Sequence, residues 1–219
     1  IKNHDLIVFD EVSTLKFEDR NGELQGFLKA YLEAGNASLS STKIVSTCGL
    51  GLAGNIALTE DLEPVNEDFQ NILPDIFRSS AMMDRFHLFI PGWKLPKISE
   101  GQIYYGWAID AEVFSEYLHH MRTETYAQNI FDQLVQYDKM QAYVRHSKAV
   151  RKVASAYCKL LFPHVRSLES MTDEDLSTFK RLFNEFCLLP AVRSRSYIYD
   201  QCKLVDGEFK RYAMPEFAV

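Results

Sequence analysis

An α/β fold, a parallel sheet followed by a long helical half, is what this sequence predicts. Three observations carry that expectation. Leu6-Ile7-Val8-Phe9 is an uninterrupted apolar run, the mark of a strand buried on both faces. A helix stripe follows at Leu24, Phe27, Leu28, Tyr31 and Leu32, and then a β-rich run, Lys43 to Cys48. Strand, helix and strand in that order read as a parallel βαβ unit. From about residue 110 onward the apolar residues recur at helical spacing only.

Taken in order, Ser13 to Gly22 is polar and reads as a loop, and Gly22-Glu23-Leu24 opens the first helix. Gly35 stands in the usual position to stop it. Asn36 to Thr42 reads as a Ser-rich loop, and Gly49 to Asn55 as a flexible exit from the second strand. Its glycines lack the Lys-Ser/Thr of a phosphate-cradling P-loop. Short helices are expected near Asp68–Ile72 and at Ile76, then a strand at Leu88-Phe89-Ile90 ended by Pro91-Gly92. Pro96 and Gly101 mark a linker. Helices are then expected from caps at Asp110, Ser147 and Thr172, with another stripe from Ala127 to Val135 and a last helix from Pro190 to about Val205.

Composition narrows the class. The chain has 219 residues, 47% hydrophobic, and no stretch of membrane-spanning length, so no membrane partner is expected. Cys48, Cys158, Cys187 and Cys202 are widely spaced without metal-binding pattern and read as reduced thiols of a cytoplasmic protein. Net charge is -6, so the chain as a whole does not advertise nucleic-acid binding. A local basic face involving Arg193, Arg195, Lys180, Arg181 and Lys203 reads first as a solvated helix surface. The opening Ile, a few residues before a core strand, reads as a fragment lacking its natural N-terminal part.

The chemistry-bearing stretch is Asp5 to Glu11. In an open parallel sheet, ligands bind at the carboxyl ends of the strands. An apolar strand that delivers Asp10 and Glu11 to that end is how a nucleotide hydrolase places a magnesium partner and a water-activating base. The alternative is an acidic turn after a core strand.

These residues resemble a known family. Asp5–Glu11 is similar to the Walker B motif of AAA+ ATPases, and Asn55 stands at the sensor 1 position. Met83-Asp84-Arg85-Phe86-His87 is similar to the arginine-finger signature of Lon proteases. Tyr143 to Arg151 resembles the Lon lid helix that ends in the sensor 2 arginine. Asp84-Arg85-Phe86-His87-Leu88-Phe89-Ile90-Pro91-Gly92-Trp93 and Lys159-Leu160-Leu161-Phe162-Pro163-His164 resemble the BrxL-type Lon-like family of BREX phage-defence systems.

The resemblance implies the C-terminal half of an AAA+ parallel-sheet core over residues 1–95, an α-helical lid over 96–165 and a helical extension over 166–219. It implies ATP and Mg²⁺ as cofactors, with Asp10 as the metal partner. Glu11, Asn55, Arg85 and Arg151 would be the catalytic and nucleotide-sensing residues. It also implies a homo-oligomeric ring, a hexamer or larger, with DNA as the favoured substrate. A Lon-like protease unfoldase and a non-catalytic assembly module are the alternatives. The sequence holds no Walker A Gly-Lys-Ser/Thr, and no Ser–Lys protease dyad can be located in its last fifty residues. The segment by itself is therefore expected to bind nucleotide weakly and to turn nothing over. His119-His120 has adjacent spacing, which puts the rings on different helix faces and argues against a metal site.

Overall fold

The computed structural model describes residues 4–19, 22–39 and 42–219. Arg20, Asn21, Ser40 and Ser41, in the two expected loops, lie outside the described residues. The fold is mixed α/β, mostly helical, with one parallel strand pair.

Strand β1 (Leu6–Phe9) runs into a 3-10 turn (Val12–Thr14), and helix α1 (Glu23–Ala34) follows, stopped by Gly35 at φ 68°. The apolar stripe of α1 is placed as expected, with Phe27, Leu28 and Tyr31 buried. Strands β2 (Asn36–Leu39) and β3 (Thr42–Val45) then form an antiparallel pair, and β4 (Gly49–Leu52) lies parallel to β1.

Two strand expectations are thereby corrected. The Ser-rich run after Gly35 is a strand, because Ala37 pairs opposite Ile44 and both turn toward α1 while hydrophilic neighbours turn away. The strand that pairs with β1 is the glycine-rich segment itself. Gly49 and Gly51 sit opposite Leu6 and Val8, where a Cβ would press to 3.2 Å and 3.3 Å of those side chains.

A third correction concerns β1. Leu6 and Val8 are 59% and 52% exposed rather than buried on both faces. Among the described residues β1 is hydrogen-bonded to β4 alone, so only its inward side, with Phe9 edge-on to Phe17, is packed.

The stretch from residue 60 holds 3-10 turns at Phe69–Ile72 and Asp75–Phe77, then a single helical turn, α2 (Ser80–Met83), capped by the Ser79 hydroxyl. Leu88-Phe89-Ile90 is not a strand. Both backbone groups of Phe89 are taken by one hydroxyl: its N–H donates to Ser194 Oγ (2.9 Å), and Ser194 donates back to its carbonyl (2.6 Å).

Helices α3 (Ala111–Thr123), α4 (Tyr126–Leu134), α5 (Val144–Leu161), α6 (Asp173–Phe183) and α7 (Leu189–Val205) complete the chain. Asp110 and Thr172 cap α3 and α6 as expected. Helix α5 begins one turn before Ser147, with Tyr143 at its N-cap. A five-residue π-turn (Asn184–Leu188) joins α6 to α7 without a break.

One apolar core gathers α4, α5, α6 and the start of α7 around Phe131, Val150, Phe183 and Leu188. A second gathers α1, the 75–77 turn and Met82. A small third, Met83, Ile198, Cys202 and Phe209, seats α7 against α2. Among the described residues no helix is long and apolar enough to cross a membrane. All four cysteines are buried and free. Burial pushes the Cys158 thiol up to about 11 and the Cys187 and Cys202 thiols up to about 12, so these three are not poised to react.

Candidate functional site

The hydrogen-bond ladder between β1 and β4 continues past both strands. Ala53 N–H donates to the Phe9 carbonyl (2.8 Å), and Val12 N–H donates to the Ala53 carbonyl (2.9 Å). Because the strands are parallel, their carboxyl ends coincide. Asp10 and Glu11 therefore leave β1 at the end where Gly54 and Asn55 leave β4. All three side chains of interest, Asp10, Glu11 and Asn55, are exposed there.

Gly54 makes this approach possible. A Cβ on it would lie 2.9 Å from Val12 Cγ1 and 3.1 Å from Ile72 Cδ1. The Asp10 carboxylate accepts the Glu11 N–H (2.8 Å), which holds it across the strand tip. Glu11 adopts a left-handed backbone, φ 45° and ψ 46°, rare for a residue with a Cβ. Such conformations cost about 1–3 kcal/mol and collect at functional sites.

Two carboxylates and one amide at the end of a strand pair offer hard oxygen donors, the kind suited to a cation that keeps most of its waters and takes few protein ligands. Among the described residues there is no group of three or more His, Cys, Asp or Glu that would form a dedicated metal cage.

Arg85 lies elsewhere. It follows α2 and donates to the Lys29 carbonyl from Nε (3.0 Å) and to the Ala81 carbonyl, with Glu33 3.4 Å away; its side chain is 16% exposed. Arg151, on α5, makes a bidentate pair with Asp132 of α4 (2.7 Å and 2.6 Å) and is 36% exposed. That pairing raises the Arg151 guanidinium and holds the Asp132 carboxyl below the usual carboxylate range. The structure thus sets Asp10, Glu11 and Asn55 at the same end of the parallel pair, with Asn55 in the wall of a hollow, and keeps Arg85 and Arg151 in separate in-chain contacts. A broad open hollow of about 2080 Å³ has Asn55 and Gly54 in one part of its wall and Arg85, His87 and Lys152 in another.

The sequence reading missed the polar network behind Arg85. Asp84, next to Arg85 in the chain, has no exposed side-chain area and pairs with Arg195. Arg195 is wholly buried, which corrects the solvated basic face expected around it. It also donates to the Asp84 carbonyl (3.1 Å), the Phe86 carbonyl (2.7 Å) and His146 Nδ1 (2.9 Å). Tyr143 Oη (2.9 Å) and Arg145 (2.8 Å) donate to the other Asp84 oxygen.

Since Arg can only donate, His146 accepts at Nδ1, and its Nε2–H donates to the Tyr212 carbonyl (2.9 Å). That tautomer is neutral, and burial, with Arg195 beside it, pushes the imidazole down to about 4. No local spacing announces these pairs: Asp84 and Arg195 are 111 residues apart. His119 and His120 also go separate ways, to Asp5 (2.6 Å) and Glu124 (3.4 Å), in keeping with their adjacent spacing.

Comparison with known proteins completes the description. The family model described as "Lon-like protease BrxL-like, ATPase domain" matches residues 1–215. A Lon-like protease BrxL of Escherichia coli O9:H4 (strain HS) is 25% identical over 205 residues, covering 93% of this chain and 27% of that protein. A Lon-like protease BrxL of Bacillus cereus (strain H3081.97) is 26% identical over 175 residues, covering 78% of this chain and 25% of that protein. The chain spans about a quarter of the length of these curated relatives. With a match over nearly all of its length, the chain belongs to the BrxL-like family of Lon-like proteases, in the ATPase domain of that family.

Proposed function

We propose that this chain is the hydrolytic segment of an ATP-driven AAA+ ring motor that acts on DNA in bacterial phage defence of the BREX type. The observation that carries the reading is the shared location of Asp10, Glu11 and Asn55 at the common carboxyl end of β1 and β4, in a chain of an ATPase-domain family.

In this reading Asp10 would hold Mg²⁺, which would supply positive charge for the phosphate oxygens. Glu11 takes the proton from the attacking water, and Asn55 orients that water, its amide donating and accepting at once. Arg151 senses the nucleotide from α5. Arg85 supplies a guanidinium to the nucleotide of the adjoining subunit, a contribution worth about 10³–10⁵ in rate in other phosphoryl-transfer enzymes. To do so it must exchange its bonds to the Lys29 and Ala81 carbonyls for the substrate. An Arg that acts in trans requires head-to-tail neighbours, and such contacts close into rings. Residues 1–95 then serve as the second half of the core, 96–165 as the lid and 166–219 as an extension.

In the protein expressed at its full length, Glu11→Gln should retain ATP binding and lose hydrolysis. Arg85→Ala should also bind and not turn over. Rings mixed from the two should regain activity, because each site with an intact Glu11 can then face an intact Arg85. Unchanged turnover in Glu11→Gln sinks the assignment of the base, and failure of every mixture to regain activity sinks action in trans. The name of the relatives, Lon-like protease, favours a second reading, an ATP-driven protein unfoldase. Nucleotide turnover stimulated by duplex DNA, with binding that weakens steeply as salt rises, separates the DNA motor from it.

A further inference from the structure

Away from the strand tip, charged groups gather around Glu33, near the C-terminal end of α1. A single oxygen of its carboxylate, Oε2, lies 3.4 Å from Arg85 Nε and 3.2 Å from Arg145 Nη2. The two guanidiniums arrive from different elements, one behind α2 and one in the first turn of α5. Lys152, two turns along α5, stands 3.2 Å from His87 Nε2. Glu33, Arg85, His87 and Lys152 all belong to the wall of the open hollow.

The local charge does not balance. The Asp84 carboxylate that also holds Arg145 is matched by the buried Arg195. That leaves Glu33 as the acid beside Arg85, Arg145 and Lys152, with Lys148 a further cation near Lys152. Burial pushes the Lys152 ammonium and the His87 imidazole down, His87 to about 4, and neighbouring cations push in the same direction. Glu33 works against that push on both.

The Glu33 contacts are also long. Charge-assisted Arg–carboxylate bonds usually close to about 2.7–2.9 Å and engage both oxygens. Here one oxygen is shared between two forks at 3.2 Å and 3.4 Å, and the Glu33 side chain is 41% exposed. Two permanently charged guanidiniums beside one oxygen suit a phosphoryl group, whose several acceptor oxygens can pair with each of them.

We propose that Arg85, Arg145 and Lys152 form a phosphate-receiving site, and that Glu33 is its resident placeholder, its Oε2 standing where a phosphoryl oxygen of the incoming anion comes to lie. With no ligand bound, the carboxylate lies beside both guanidiniums, Arg85 being held as well by the Lys29 and Ala81 carbonyls and Arg145 by Asp84. A phosphate group carries more charge and more acceptor oxygens, so it can meet both forks and Lys152 at once, which one carboxylate oxygen cannot. The source of the phosphate is a nucleotide or a nucleic-acid backbone; for the first of these the proposal rests on the ATPase reading.

The probe is inorganic pyrophosphate, titrated calorimetrically into the full-length protein. Removing the internal competitor in Glu33→Gln should tighten binding about five-fold, the equivalent of roughly 1 kcal/mol for a partly exposed ion pair. Lys152→Ala should weaken binding about ten-fold and cancel the gain when combined with Glu33→Gln, because a charge-assisted contact is lost. Arg145→Ala should do the same. Lys152 lies outside the Asp84 network, so its variant keeps the test open if Arg145→Ala does not fold. Affinity unchanged in Glu33→Gln, or a gain that survives Lys152→Ala, overturns the proposal.

Two further arms assign the source. Faster ATP turnover in Glu33→Gln with unchanged duplex affinity points to nucleotide. Tighter, more salt-dependent duplex binding points to the nucleic-acid backbone. Tightened pyrophosphate binding in a protein that hydrolyses no ATP would refute the ATPase reading alone. Intact turnover with unaltered pyrophosphate affinity would refute this proposal alone.

Discussion

Arg195→Met removes a wholly buried cation while keeping much of the side-chain volume. In the native fold its guanidinium serves Asp84 Oδ1, His146 Nδ1 and the carbonyls of Asp84 and Phe86. Burial works against its charge, and the Asp84 carboxylate is the main counterweight. The substitution strands that carboxylate on Arg145 and Tyr143 and leaves two carbonyls and a ring nitrogen without their donor. Removing one partner of a buried pair costs about 3–5 kcal/mol. Arg145 still offers a positive charge, which places the expectation near 4 kcal/mol, or a Tm lower by about 10 °C for a chain of this size.

Asp84→Asn combined with Arg195→Met removes the stranded charge as well. The double variant should be more stable than the sum of the two single losses by about 1–3 kcal/mol. Urea unfolding followed by far-ultraviolet circular dichroism, extrapolated linearly to water, measures all four corners of the cycle. An Arg195→Met loss below about 1 kcal/mol, or strict additivity, would refute the view that this pair ties α7 to the α2 region.

Other expectations follow from the same geometry. His146 is held neutral with its pKa near 4, below the usual value of about 6.5. The unfolded chain therefore binds a proton first as pH falls. This group's contribution is intact above pH 6.5, declines between 6.5 and 4, and is flat below. The full loss is about 3 kcal/mol. His146→Gln, which can still accept from Arg195 and donate to Tyr212, should flatten urea midpoints across that window; an unchanged slope would count against it. Glu11→Gly should raise stability by about 1 kcal/mol by relieving a left-handed residue, while abolishing ATP hydrolysis in the full-length protein; a lower Tm would show that the conformation is unstrained. Arg151→Ala breaks only a partly exposed pair with Asp132, so its stability cost should stay under about 1 kcal/mol. Loss of ATP hydrolysis in that folded variant would then report on nucleotide contact, and unaltered hydrolysis would remove Arg151 from the site.

What could be read in the sequence was whatever is decided within one turn or one strand. Asp110 and Thr172 announce the starts of α3 and α6, because a cap depends on neighbours two or three residues away. The placement of Asp10 and Glu11 at a strand tip is likewise local. The failures were settled by partners outside the element itself, from a neighbouring hairpin strand to residues more than a hundred positions away. Asn36–Leu39 has the composition of a loop and becomes a strand through its pairing with Thr42–Val45. Gly49–Leu52 becomes a strand through its parallel pairing with Leu6–Phe9, where Gly49 and Gly51 leave room for the Leu6 and Val8 side chains. Phe89 leaves the strand conformation expected of it because Ser194 occupies its backbone. Arg195, charged on a helix of otherwise mixed polarity, gives no local sign that it will be buried against Asp84.

The adjacency of Asp84 and Arg85 gives the two networks a common hinge. One residue of the pair turns inward to Arg195, and the next turns to Glu33 and the hollow. Arg145 touches both sides, bonded to Asp84 at 2.8 Å and to Glu33 at 3.2 Å. An anion that displaced Glu33 would change one of the two anchors of Arg145 and leave the other in place. The change would then fall on the first turn of α5, and through Asp84 and Arg195 on α7, by contacts that are continuous from the hollow to the C-terminal helix. Contiguity of that kind is a route and not yet a coupling, which requires two states that both ends bias. The physical warrant would be a shift in the environment of His146, bonded to Arg195 at 2.9 Å, when pyrophosphate is added to wild type and not to Lys152→Ala.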